Sequence, residues 1–126
     1  MIGIVVVSHS EKLAQGVVEF ASHMAPNANI IPAGGLDNGD FGISIAKIKS
    51  AIEQASKDGD GAIIIVDIGS SVFFTKQALS EIKSNAIMVD CPLIEGAIVA
   101  AVEAQNGSEM NRMIQEVQAA KIIPKW

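Results

Sequence analysis

Ile2-Gly-Ile-Val-Val-Val7, followed at once by Ser8-His9-Ser10-Glu11-Lys12-Leu13, is the stretch on which the fold turns. A strand with one wet face alternates apolar and polar residues, and this run does not. Its continuous apolar character predicts a strand covered on both faces, the situation of a parallel sheet sandwiched by helices. The spacing then changes. Leu13, Val17, Phe20 and Met24 recur at helical intervals, predicting an amphipathic helix directly after the strand. Strand followed by helix is the first half of a β-α-β unit.

The same alternation continues along the chain. Ala62–Asp67 (AIIIVD) and Ala86–Asp90 (AIMVD) are further strand candidates, and Asn29–Ala33 (NIIPA) is a weaker one because Pro32 interrupts it. Ile45, Ile48, Ile52 and Ala55 form a second helical stripe, and Phe74, Ala78 and Ile82 with Leu79 a third. A fourth helix is expected from Pro92, at a first helical position, through Ala104 to a stop near Gly107. Ser108 is the expected cap of a fifth, which carries Met110, Met113, Ile114 and Val117 on one face. The order β-α-β-α-β-α-β-α-α predicts an α/β fold, an open, mainly parallel four- or five-stranded sheet with helices on both faces. The fifth strand depends on Ile122–Trp126, readable as an edge strand or a mobile end. Residues 1–126 are expected to form one domain.

Composition narrows the function. Hydrophobic residues make up 49% and charged residues 18%, so the chain folds. Aromatics are 4% with no Tyr, which leaves the core to Ile, Val, Ala and Leu. A net charge of −5 with no Arg/Lys cluster argues against nucleic acid as a partner. Cys91 is alone, so no intramolecular disulfide forms, and a reducing cytoplasm is the expected location. Ile2–Val7 is too short for a signal segment, and no stretch reaches the ~20 apolar residues of a membrane span. No metal or cofactor is expected. His23 lies fourteen residues from His9 without ligand spacing and reads as a surface histidine.

In open α/β sheets the reactive groups sit beyond the carboxyl ends of the strands. After the first strand, Ser8 and Glu11 have capping-box spacing, with Ser10 as the competing cap. In either register His9 stands at a helix N-terminus, where amides attract anions and the dipole favours neutral, nucleophilic imidazole. The alternative is an ordinary loop histidine. After the third strand comes Asp67-Ile68-Gly69-Ser70-Ser71. Asp67 can accept a hydrogen bond from one imidazole nitrogen and leave the other free to attack; capping a turn is its alternative role. Gly69 allows close backbone approach, and Ser70 and Ser71 supply hydroxyls and amides. The Gly34-Gly35 and Asp37–Gly42 stretches form a weaker candidate phosphate cradle, without the usual Lys. Gly96 inside a helix implies close packing or partner contact, and Cys91 reads as a small buried residue. Phe73 and Phe74 cannot both point inward from one helical turn. One exposed ring would hint at a docking surface, although packing of both is expected.

As a set, IGIVVVSHSEKLAQGV (2–17), AGGLDNGDFGISIAKI (33–48), VDIGSS (66–71) and DCPLIEGAIVAAVEAQNG (90–107) resemble the M subunit of phosphotransferase-dependent dihydroxyacetone kinase, a branch of the mannose-type EIIA family. The resemblance runs nearly end to end. It implies the mannose-type EIIA fold, phosphorylation of His9 in the VSHS motif and a strand-end acid at Asp67. Ser8, Ser10, Gly35, Gly69, Ser70 and Ser71 become expected phosphate-binding or supporting positions. It further implies HPr as phosphoryl donor, ADP on the L subunit of the kinase as acceptor, and a homodimer. Longer members carry fused HPr-like and EI-like domains, so a separate donor is expected here. The chain departs from the family at Ile43, where members carry Thr, at Ser71–Thr75, and at Cys91, where Ala is usual. Two other readings remain open. One is a mannose-type sugar EIIA passing phosphate to an EIIB, whose Gly-Pro pattern after the acid is absent. The other is a regulatory receiver-like domain, which lacks the acidic pair such domains carry after the first strand.

Overall fold

The computed structural model describes residues 1–126. Strands β1 (Gly3–Ser8), β2 (Ile30–Gly34), β3 (Ala62–Val66) and β4 (Ala86–Met88) alternate with helices α1 (Glu11–Met24), α2 (Ile45–Ala55), α3 (Gly69–Ser80) and α4 (Leu93–Gln105). A fifth helix, α5 (Met110–Ala119), closes the series. All strand pairs are parallel and the sheet order is β2-β1-β3-β4. The tail past Ala120 adds no fifth strand, and Ile122, Ile123 and Trp126 are exposed.

The unbroken apolar runs have the predicted cause. In β1, Ile4 and Val6 point into a core built with α1, α4 and α5, while Val5 and Val7 point into a second core with α2 and α3. Ile63 and Ile65 join the first core and Ile64 the second. Pro32 is tolerated because β2 is an edge strand, paired only with β1.

Several expectations change. In α1, Val17 is buried, but its inward partners are Ala14 and Ala21, and Leu13, Phe20 and Met24 are exposed. The cause is α4, which packs on α1 and faces this core with Ala97, Ala100, Ala101 and Ala104. Alanine against alanine brings the helices too close for a Leu or Phe between them. The inward face of α3 is Ser71, Thr75 and Ala78, with Phe74, Leu79 and Ile82 half-buried beside it. Strand β4 stops at Met88, short of Asp90, because its ladder with β3 covers only Ala62–Ile64. Pro92 is the residue before α4 and not its first. Glu109, not Ser108, caps α5: its carboxylate accepts from the Arg112 amide, while the Ser108 hydroxyl donates to Glu103 at 2.6 Å.

Candidate functional site at the carboxyl ends of β1 and β3

In the order β2-β1-β3-β4 the chain leaves β1 toward one edge and returns across it to β3, so the crevice between β1 and β3 is the topological switch point. His9 follows β1 and Asp67 follows β3. The Asp67 amide donates to the Val7 carbonyl at 3.1 Å, which extends the β1–β3 ladder by one rung and brings together residues 58 apart in sequence. Ser10 wins the capping competition: its hydroxyl accepts from the Leu13 amide at 3.1 Å. Ser8 is fully buried, and its hydroxyl instead donates to Asp67 at 3.0 Å and accepts from the Ser10 amide at 3.0 Å.

The Asp67 carboxylate gathers donors from both strand ends. Oδ2 accepts from the His9 amide at 2.9 Å and from Ser8; Oδ1 accepts from the Ile68 amide at 2.7 Å and from the Ser71 hydroxyl. His9 Nδ1 lies 3.1 Å from Oδ1 and 3.2 Å from Oδ2. Burial alone raises the carboxyl pKa, but the Ser71, His9 and Ile68 hydrogen bonds outweigh it and pull Asp67 down to about 2. A carboxylate held ionised against Nδ1 selects the tautomer with the proton on Nδ1, which leaves the Nε2 lone pair available. Ser70 Oγ sits 2.6 Å from Nε2 and donates to it in that tautomer.

The backbone around the imidazole is equally determined. No side chain caps α3, and the amides of Gly69 and Ser70 have no protein acceptor, so the N-terminal turn of α3 opens beside His9 with free donors. Gly35, with φ of +74°, turns the chain out of β2 and donates its amide to the Ser8 carbonyl at 3.1 Å; a Cβ there would crowd the Asp40 carbonyl. The predicted site residues thus converge, but in two roles. His9, Asp67, Ser70 and Gly69 face the crevice, whereas the amides of Ser10 and Gly35 are engaged by Ser8 and brace the loop. Ser71 lies beneath, fully buried, with its hydroxyl on Asp67 and 3.3 Å from Nδ1.

Phe41 escaped the sequence reading. Its ring stacks on the His9 imidazole with centroids 5.4 Å apart and planes 25° apart, while the residue is 74% exposed. The only available signal was an apolar aromatic stranded in a Gly/Asp-rich loop. Phe73 is 67% exposed and meets the half-buried Phe74 edge to face, so only one ring of the pair packs inward. With exposed Ile68, Phe73 gives α3 an apolar rim beside the crevice. His23 is exposed and bonded to the Glu19 carbonyl. Burial pushes the Cys91 thiol up to about 12, so it is an inert packing group. A Cβ on Gly96 would land on Cys91 Sγ, which explains the glycine inside α4. No three His, Cys, Asp or Glu side chains converge on a point that could hold a metal ion, and no helix is long and apolar enough to cross a membrane.

Known proteins resemble this chain in sequence and in fold. The chain is 32% identical over 95% of its length to the phosphoryl donor subunit DhaM of the PEP-dependent dihydroxyacetone kinase of Providencia stuartii, of which it spans only 27%. It is 30% identical to the phosphotransferase subunit DhaM of the PTS-dependent dihydroxyacetone kinase of Lactococcus lactis, covering 92% of this chain and 93% of that one. A crystal structure of a protein of unknown function superposes with a TM-score of 0.85 at 27% identity, covering 98% of this chain and 97% of the other. Residues 3–115 match the family model described as the PTS system fructose IIA component. On the match of residues 3–115 and the identity to its relatives over most of its length, the chain belongs to the mannose-type EIIA family, alongside the DhaM subunits it resembles.

Proposed function

We propose that the chain is a cytoplasmic phosphocarrier that serves a PTS-dependent dihydroxyacetone kinase through a phosphohistidine at His9. The observation that carries this reading is the His9 clamp, with Nδ1 held by ionised Asp67 and Nε2 turned toward Ser70 and the open turn of α3. Nε2 attacks the phosphorus of phospho-HPr. The new N–P bond forms as the donor's N–P bond breaks, and Asp67 stabilises the positive charge that develops on the imidazole. The Ser70 hydroxyl rotates off the lone pair and, with the amides of Gly69 and Ser70, donates to the phosphoryl oxygens. In the second transfer a terminal oxygen of ADP, bound on the L subunit, takes the phosphoryl group, giving ATP and free His9. The kinase then uses that ATP on dihydroxyacetone. Asp67 itself is a poor phosphoacceptor because both its oxygens already accept hydrogen bonds from the chain.

Incubation with EI, HPr and phosphoenolpyruvate should place one acid-labile, base-stable phosphate per chain, and His9→Ala should take none. Label that persists in His9→Ala, or that appears on Asp67, overturns the proposal. Offering the phosphorylated chain either the L and K subunits or an EIIB tests the acceptor. Transfer to the EIIB alone would assign it to sugar transport.

A further inference from the structure

We propose that Phe41 is a positioning residue for His9, holding the imidazole plane and covering one face of the phosphohistidine against water. This rests on the carrier reading above. Asp67 and Ser70 grip His9 at its two nitrogens, so both contacts lie at the ring edge. Together with the Cβ attachment those contacts set the plane of the ring, but they touch neither of its faces. Phe41 lies over one face, covers it and damps the residual tilt that two hydrogen bonds of ordinary length allow.

The loop that carries Phe41 is built to hold it there. The next residue, Gly42, donates its amide to the His9 carbonyl at 2.8 Å, tying the loop backbone to the residue being stacked. Leu36 and Asp40 close a turn at 2.8 Å, Asn38 and Asp40 bond each other, and Gly35 bridges to Ile43. None of these bonds uses the Phe41 side chain, so the loop keeps its shape without it. An aromatic ring left largely in water while its loop is fixed by other means is not there for the core. Its partner is the imidazole, whose side chain is only 12% exposed although it stands at the mouth of the crevice. A ring stacked on the face leaves the in-plane approach to Nε2 open, so it shields without blocking transfer.

Three measurements on Phe41→Ala and Phe41→Tyr test this, beside wild type and His9→Ala. They are the rate of phosphoryl acceptance from phospho-HPr, the half-life of the purified phosphorylated chain in buffer alone, and the NMR shifts of the His9 ring protons. Loss of the stack should slow acceptance and shorten the half-life, each by about three- to tenfold, the rate equivalent of one aromatic stack. The His9 ring protons should move downfield as the ring current is lost, and Tyr should restore all three. The melting temperature should fall by no more than about 6 °C, the stability equivalent of that one stack, so the variants stay folded. A partner-docking role would slow acceptance alone; an unchanged half-life with unmoved His9 shifts therefore overturns the proposal. Wild-type protein that takes no label refutes the carrier reading instead, and the His9 shifts report on the stack in either case.

Discussion

Replacing Asp67 by Asn tests the geometry of the site most sharply, because the two side chains have the same shape. From sequence alone, Asn is as good a turn cap as Asp and keeps its shape, which predicts slower phosphoryl transfer with little change in stability. The structure changes that expectation. Each carboxylate oxygen faces a backbone amide that cannot move away, His9 N–H at 2.9 Å from one and Ile68 N–H at 2.7 Å from the other. An Asn amide has one acceptor oxygen, so in either orientation its NH2 meets one of those N–H groups donor to donor. The remaining hydrogen bonds lose their charge assistance. An orphaned N–H and weakened charged bonds together cost about 2–3 kcal/mol at neutral pH. For a chain of 126 residues that lowers the melting temperature by about 8–11 °C. The sign of the pH dependence is fixed. The folded carboxyl, at about 2, titrates below its unfolded value, so its stabilisation is present above about pH 4 and is lost as pH falls toward 2. Discounted for the open side of the crevice, that component is about 1–2 kcal/mol. Urea denaturation of both proteins from pH 7 to pH 2 measures it, with the gap between wild type and Asp67→Asn narrowing by that amount toward the acid end. Transfer from phospho-HPr, measured on folded variant, should slow by orders of magnitude. Equal midpoints at pH 7 would refute the hydrogen-bond accounting, and a normal transfer rate would remove Asp67 from the mechanism.

Gly96→Ala should destabilise by about 1 kcal/mol in chemical denaturation, because overpacking against Cys91 exceeds the helix-propensity gain of Ala over Gly. Adding Cys91→Ala, which removes the sulfur, should reverse the loss, and a Gly96→Ala chain as stable as wild type would refute the contact. The exposed Leu13, Phe20 and Met24 flank of α1 and the short open edge at β4, with Ile87 exposed, support the homodimer implied by the resemblance. Sedimentation at tens of micromolar should give the mass of two chains, and a monomer there would contradict it.

Sequence by itself determined the sheet. Continuous Ile and Val runs at 2–7 and 62–66 have no wet face, so a parallel sheet covered on both sides is their only favourable home, and chemistry at its strand ends follows. His9 and Asp67 were legible for that reason, each being the first polar, titratable residue after a strand. Gly96 was legible too, since a helical glycine is costly unless something presses on it. Other features were decided only by the tertiary structure, and each depends on a neighbour distant in sequence. Helical spacing alone favoured Leu13 and Phe20 as the buried face of α1. The alanine surface of α4, some eighty residues away, turned the Ala14, Val17 and Ala21 face inward and left Leu13 and Phe20 outside. Local spacing favoured Ser8 as the cap with Ser10 competing, and Asp67 decided for Ser10 by claiming the Ser8 hydroxyl. The amides of Ser10 and Gly35 looked free for phosphate until the fold engaged both on Ser8. Phe41 reached the imidazole because β2 lies beside β1 and its loop folds over the strand ends. Local spacing sets an element's type and period, but the side chains brought opposite it by the fold decide which face is buried and which hydrogen-bond donors remain free.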